Sequence, residues 1–202
     1  MNRKKLFDIS VAAGVVIALI ICMCGFESGC ENIKENVLRL HIIAASDSEY
    51  DQKMKLKVRD AVLEKGREIF SGSDTLFQAK QKIAENKDIL VCTARDTLEK
   101  YGCRDDVKIR LCSDNFNTRV YDGFTLPAGK YEALEIIIGE GRGHNWWCVM
   151  FPPLCLPGCT GEITPEEILN EKGLDVLNSS PKYEIRFKVV EWIEKIRNKK
   201  SD

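Results

Sequence analysis

The chain has 202 residues, enough for one ordinary domain with a real core and a terminal appendage, and too few for a second independent domain beside it. Thirty lysines and arginines stand against 31 aspartates and glutamates, so no charge excess points to a nucleic-acid surface or a polybasic membrane patch. At 44% apolar and 30% charged residues, the composition excludes a disordered chain.

Arg3-Lys4-Lys5 opens the chain with positive charge, and Ile9 to Gly25 follows as an uncharged apolar run of about 17 residues. That pattern predicts a signal peptide or signal anchor over residues 1–26. The basic end stays in the cytoplasm and everything after Gly25 is delivered across the membrane. Ser28-Gly29-Cys30 is close to a lipoprotein signal, but Glu27 stands where that signal needs an apolar residue. Glu27 to Asn36 is polar and reads as a tether, with one folded domain over residues 37–202.

Val37 to Ala45 reads as a strand, half buried at its start and more fully buried at its end. Ser46 and Glu49 form a capping-box arrangement that starts a helix. Met54, Val58, Ala61, Val62 and Ile69 form its apolar stripe, widened by Leu56, Leu63 and Phe70, while Lys53, Lys55, Lys57, Arg59, Glu64 and Arg67 form a solvated face. Ser71 to Asp74 breaks it. Leu76, Ala79, Ile83, Leu90, Ala94, Leu98 and Tyr101 keep helical spacing through a second long helix that Gly102 ends. Val107, Ile109 and Leu111 alternate with polar neighbours as a strand, Asp114 to Asn117 turns the chain, and Lys130 to Ile138 alternates again. The expected fold is α+β: a mostly antiparallel sheet with two amphipathic helices on one face. Leu156 to Pro181 reads as a variable connection with at most one short helix near Pro165 to Asn170. Tyr183, Ile185, Phe187 and Val189 read as a strand before a charged helix, with Trp192 in the core.

Gly143-His144-Asn145-Trp146-Trp147-Cys148-Val149-Met150-Phe151-Pro152-Pro153-Leu154-Cys155 concentrates the unusual chemistry of the chain. Its apolar run should be buried on most sides, and the tandem prolines end it in a rigid corner. Side chains of this size either fill a core or anchor a partner. The preceding glycine cluster, Gly139 to Gly143, lacks the spacing of a dinucleotide site and reads as a flexible loop presenting the tryptophans.

Nine cysteines leave seven beyond the apolar run. Cys92 and Cys112 read as small buried hydrophobes. A bridge among Cys148, Cys155 and Cys159 is the alternative for the rest, with Cys148 and Cys155 the candidate pair. His144 and Cys148 are four apart, but glycine before and proline after oppose the helix that would bring base and thiol together. His144, Cys148, Cys155 and Cys159 match no common zinc-ligand spacing, so no metal or other cofactor is assigned. No protease motif is present. Two classes remain: an exported interaction domain that docks through the aromatic stretch, or an exported cell-wall hydrolase using Cys148.

Asn145-Trp146-Trp147-Cys148-Val149 with Phe151-Pro152-Pro153-Leu154-Cys155, Leu38 to Ser48, and Pro127-Ala128-Gly129-Lys130-Tyr131-Glu132-Ala133 resemble the stage II sporulation protein R family. The likeness runs from about Val37 to about Leu156 and resumes at Tyr183 to Trp192, while 157–181 and the extra thiol Cys159 depart from it. The resemblance implies a secreted signalling protein of endospore formers, made in the forespore and exported into the space between the septal membranes. There it would activate a membrane-embedded aspartic protease in the mother cell, which processes the precursor of sigma-E. It implies an activator rather than an enzyme. Asn145, Trp146, Trp147, Phe151, Pro152 and Pro153 are then the expected receptor-contacting residues.

Overall fold

The structure, a computed structural model, describes residues 3–121, 123–154, 164–178 and 184–199. The chain divides into two compact units built from interleaved segments: Lys34–Phe116 with Lys130–Ile168, and Met1–Ile33 with Asn117–Gly129 and Leu169–Asp202.

The first unit holds the α+β core. Its four-stranded sheet has the order β2-β5-β1-β6, with β1 Leu38–Ile43, β2 Val107–Phe116, β5 Gly129–Ile138 and β6 Asn145–Phe151. β1 is parallel to β5 and antiparallel to β6. Gly139 N, at the end of β5, donates to Asp106 O at the start of β2 at 2.8 Å, so these two strands also run antiparallel. Helices α2 (Glu49–Phe70), α3 (Leu76–Glu85) and α4 (Lys87–Lys100) supply the other apolar layer. Leu38, Leu40 and Ile42 of β1 share one core with Leu134 and Ile136 of β5, Val58 and Val62 of α2, Ile83 of α3 and Leu90 of α4. Burying each such side chain is worth about 1.5–3 kcal/mol.

Local chemistry places these elements one or two residues from where the sequence suggests. Ser48, not Ser46, caps α2 by accepting from Asp51 N. The second long helix is two, because Asn86 ends α3 and begins α4. β1 is buried from its first residue, since β5 and β6 flank it on both sides. β2 continues through Asp114 and Asn115, where a turn was expected. The extension carries Phe116 onto Tyr131 of β5 and Trp147 of β6, with ring centroids 5.6 and 4.9 Å apart.

On β6 the continuous apolar run is explained by burial on both faces of the sheet. Cys148 and Met150 join the helix-side core, while Trp147 stacks on His41 of β1, with ring centroids 3.6 Å apart. A register shift between Leu38 and Arg39 turns Phe151 inward as well, edge-on to Phe70.

In the second unit, α1 runs as one helix from Arg3 to Asn36. The expected tether at Glu27 to Asn36 is therefore its last turns. Its most apolar 18-residue window has a mean hydropathy of 2.7, and it is long and apolar enough to cross a membrane. Leu6, Val15 and Ile21 are exposed, whereas Phe26, Cys30 and Ile33 are buried. The reason is a small helical cluster, α6 (Glu171–Leu177) and α7 (Glu184–Lys199), packed on this part of α1. Phe26 meets Phe187 edge-on at 5.2 Å, Arg197 lies 3.8 Å from both Glu27 and Glu31, and Asn170 N donates to Asn32 Oδ1 at 3.0 Å. The short strands β3 (Arg119–Val120) and β4 (Thr125–Leu126) form an antiparallel pair in the same unit.

α7 corrects the expected strand. Alternation over Ile185, Phe187 and Val189 suggested a period of two, but Phe187, Val190 and Glu194 are the buried positions, which is helical spacing. Trp192 falls off that stripe and is 65% exposed, so it is not core. The short helix expected near Pro165 to Asn170 appears as α5 (Pro165–Ile168), with α6 immediately after it. Tyr183 and residues 155–163 lie outside the described residues.

Helices α1 and α6 meet at a glycine. A Cβ on Gly29 would lie 2.4 Å from Lys172 O, a backbone atom with little room to yield. Gly29→Ala should destabilise the detergent-solubilised chain by about 1–3 kcal/mol, read as a lower thermal midpoint. Gly25→Ala, where nothing lies within 4 Å, should leave it unchanged or slightly raised.

Candidate functional site

Because β1 and β6 are antiparallel, the end of one lies beside the start of the other, with Ile43 opposite Asn145. Two stretches about 100 residues apart, Ala44 to Ser48 and Gly139 to Trp147, are thereby brought together. The glycine cluster between β5 and β6 is not the loose loop the sequence suggested. Gly139 and Gly141 turn the chain with φ of 56° and 63°, Arg142 N donates to Ala45 O at 3.2 Å, and Gly143 N donates to Ala44 O at 2.9 Å. Gly143 is also a steric requirement: a Cβ there would stand 2.2 Å from Ser46 O.

Polar side chains close this junction. Asp47 Oδ1 accepts from His144 N at 2.6 Å and lies 2.5 Å from His144 Nδ1. These bonds hold the Asp47 carboxyl below its ordinary pKa. Lys55, expected on the solvated face of α2, is instead buried and donates to His144 O at 2.8 Å and Gln52 Oε1 at 2.6 Å. Burial pushes its ammonium below the usual lysine value, against the pull of Asp47. Gln52 Nε2 donates to Ser46 O at 2.9 Å, and Ser46 Oγ donates to Asp51 Oδ2. α2, the β1 exit and the β6 entry are thus knotted by groups that the sequence alone did not connect. The capping pattern at Ser46 was the only local signal for any of them.

From this knot β6 presents its first residues. Asn145 is exposed, Trp146 and Trp147 are half-buried and Pro153 is half-buried. Trp146 carries the Arg59 guanidinium 4.5 Å from its ring centre, a cation–π contact between α2 and β6. Phe151, with no exposure, and Pro152, also buried, belong to the core and leave the expected contact surface. Of the residues expected to make contact, Asn145, Trp146, Trp147 and Pro153 are accessible.

The face of the sheet opposite α2 carries a polar cluster. Arg39 has no exposure; its guanidinium lies 4.3 Å from the Phe116 ring centre and 5.1 Å from that of Tyr131, and its Nε donates to Cys148 O at 3.2 Å. His41 is buried beneath Trp147, with the carboxylates of Asp114 and Glu135 at 3.6 and 3.7 Å from Nδ1. Glu135 is paired in turn with Arg110. Burial holds the His41 imidazole below its ordinary pKa, in opposition to Asn145, Glu135 and Asp114, which raise it.

Cys148 is bonded in a disulfide and only 3% exposed, so its thiol is not available as a nucleophile. The other end of that bridge and the expected Cys155 pairing lie outside the described residues. His144 stands four strand positions away and is engaged with Asp47, which separates base from sulfur. Among the described residues, no group of three or more His, Cys, Asp or Glu side chains could hold a metal ion. Cys92, read as buried, is exposed, and Cys112 is half-buried. The arrangement offers a shaped, charged and aromatic surface.

The family model for stage II sporulation protein R matches residues 34–160, which include the whole knot. A stage II sporulation protein R from Bacillus subtilis (strain 168) is 36% identical over 136 residues, covering 67% of this chain. The alignment spans 61% of that relative's own length. No solved structure matches.

A buried imidazole with a lowered pKa binds its proton more readily when the chain unfolds. Its contribution is therefore complete above about pH 6.5 and is lost as pH falls through that value toward the folded-state pKa. Replacing it by His41→Phe should flatten the loss of stability on acidification from about pH 7 to 5 by at most ~1.4 kcal/mol per pH unit. Denaturant titrations at several pH values, followed by tryptophan fluorescence, measure the difference; equal slopes in both proteins would contradict it.

Proposed function

Since the chain belongs to the stage II sporulation protein R family, we propose that it is an exported sporulation signal that activates a membrane-embedded aspartic protease. That protease then processes the precursor of sigma-E in the mother cell. The chain itself performs no bond chemistry in this reading. Its N-terminal helix carries the domain across the forespore membrane and into the septal intermembrane space, and keeps it attached there.

The observation that carries the reading is the convergence of two distinctive stretches, Ala44 to Ser48 and Gly143 to Trp147, on one rigid junction. An activator has to offer differential contacts to the active state of its receptor. Exposed Asn145, the Arg59-backed ring of Trp146, the His144–Asp47 pair and half-buried Pro153 supply such contacts on a support that ordering costs little. Aromatic and arginine side chains in this setting are the usual energetic centres of protein interfaces. The hydrolase alternative has no such support, because Cys148 is already in a disulfide.

Expression of the chain in a non-sporulating host that carries the membrane protease and the sigma precursor tests the proposal, with precursor cleavage followed on a blot. Cleavage should depend on the exported chain. Asn145→Ala should reduce it at little-changed thermal stability, and Trp146→Ala, which also loses packing on the core, should reduce it by about tenfold or more at a temperature where the variant remains folded, if the ring contributes about 2 kcal/mol of binding. Phe151→Ala should act through folding instead, costing about 3–5 kcal/mol of stability. No cleavage with a folded chain and receptor both present would refute the activator role, and cell-wall hydrolysis would be assayed next.

A further inference from the structure

The second unit contains a cleft that signalling leaves unused. It lies between α1, α6 and α7 and encloses about 230 Å³. Ile21, Gly25 and Phe26 of α1 and Val176 of α6 make its apolar wall. Two cations, Lys172 of α6 and Arg186 of α7, line it together with one carboxylate, Asp175, which leaves a single net positive charge. The Arg186 guanidinium is held in place: its Nη2 donates to Cys22 Sγ at 2.9 Å, and it lies 5.8 Å from the centre of the Phe26 ring.

Position gives this combination its meaning. The apolar run of α1 from Ile9 to Gly25 rises about 25 Å, close to the hydrocarbon thickness of a bilayer. The cleft is lined by Ile21, Cys22, Gly25 and Phe26 at the end of that run, so a bilayer spanned by the run would bring its lipid phosphates to the cleft. An apolar wall continuous with the membrane helix, topped by an oriented guanidinium and a lysine, matches a phosphodiester with acyl chains below it. We infer that this cleft binds the headgroup of an anionic phospholipid, a phosphatidylglycerol-type monoanion, with its phosphate between Lys172 and Arg186 and its upper chain against Ile21, Gly25 and Phe26. A free phosphate ion would meet the same cations but gain nothing from the apolar wall. The inference rests on the reading of α1 as a retained membrane span.

The full chain, incorporated into nanodiscs of mixed phosphatidylcholine and phosphatidylglycerol, is released in a mass spectrometer and its retained lipids are counted. Phosphatidylglycerol should be retained in excess over its share of the bilayer. Lys172→Gln, an exposed position, should lower that preference about fivefold, and adding Arg186→Gln should lower it again by a similar factor. Lys188→Gln, on α7 but outside the cleft, should leave it unchanged. Retention in proportion to bilayer composition overturns the inference while leaving the anchor intact. Failure of the chain to enter nanodiscs overturns the anchor reading and the inference with it. Competition by inorganic phosphate at the same strength as by lipid reduces the cleft to an ion site and also overturns the proposal.

Discussion

A single buried guanidinium ties the sheet together. Arg39 belongs to β1, lies against Phe116 of β2 and Tyr131 of β5, and donates to the backbone of Cys148 on β6. A cation without exposure is costly unless its charge is answered on every side. Here two aromatic faces and a carbonyl share that task, and each comes from a different strand. The geometry of all four strands is therefore coupled through one side chain. A shift of β6 by one residue would place the wrong carbonyl beside Arg39 and carry Cys148 and Met150 out of the helix-side core onto the opposite face of the sheet.

That coupling explains why the aromatic stretch is rigid where it meets solvent. β6 is an edge strand by order, yet its second half is buried and its first half is clamped by the Asp47, Gln52 and Lys55 bonds to the β1 exit. Trp147 is fixed by His41 below it and by Phe116 at its edge. What remains open to solvent on this part of β6 is a narrow strip around Asn145 and Trp146, whose positions are fixed by the fold. A surface of this kind loses little entropy on binding.

Much of this was legible in the chain. The alternations at Val107 to Leu111 and Lys130 to Ile138 and the helical stripe of α2 are one-dimensional patterns, and they survived folding. Three kinds of feature were not legible. Glu27 to Asn36 looked like a tether because its apolar contacts, Phe26, Cys30 and Ile33, are sparse and are completed by helices roughly 140 residues later. Lys55 looked solvated because nothing near it in sequence announces that His144 O needs a donor. Phe187 fitted both a strand and a helix, and only the neighbouring α1 decided for the helix. In each case the deciding partner is remote in sequence, whereas a pattern of spacing reports only on near neighbours.

The interleaving of the second unit sets an order on the making of the chain. Phe26, Cys30 and Ile33 are synthesised well before the residues that pack on this part of α1, Val176 of α6 and Phe187 of α7. Until those later helices are made, this apolar stripe has no native cover. The base of α1 is thus exposed to lipid, chaperone or protease until α7 arrives. A chain stopped early would keep its apolar helix and its sheet sequence but lack the two helices that cover Phe26, Cys30 and Ile33. Completion of the chain and maturation of this unit become a single event.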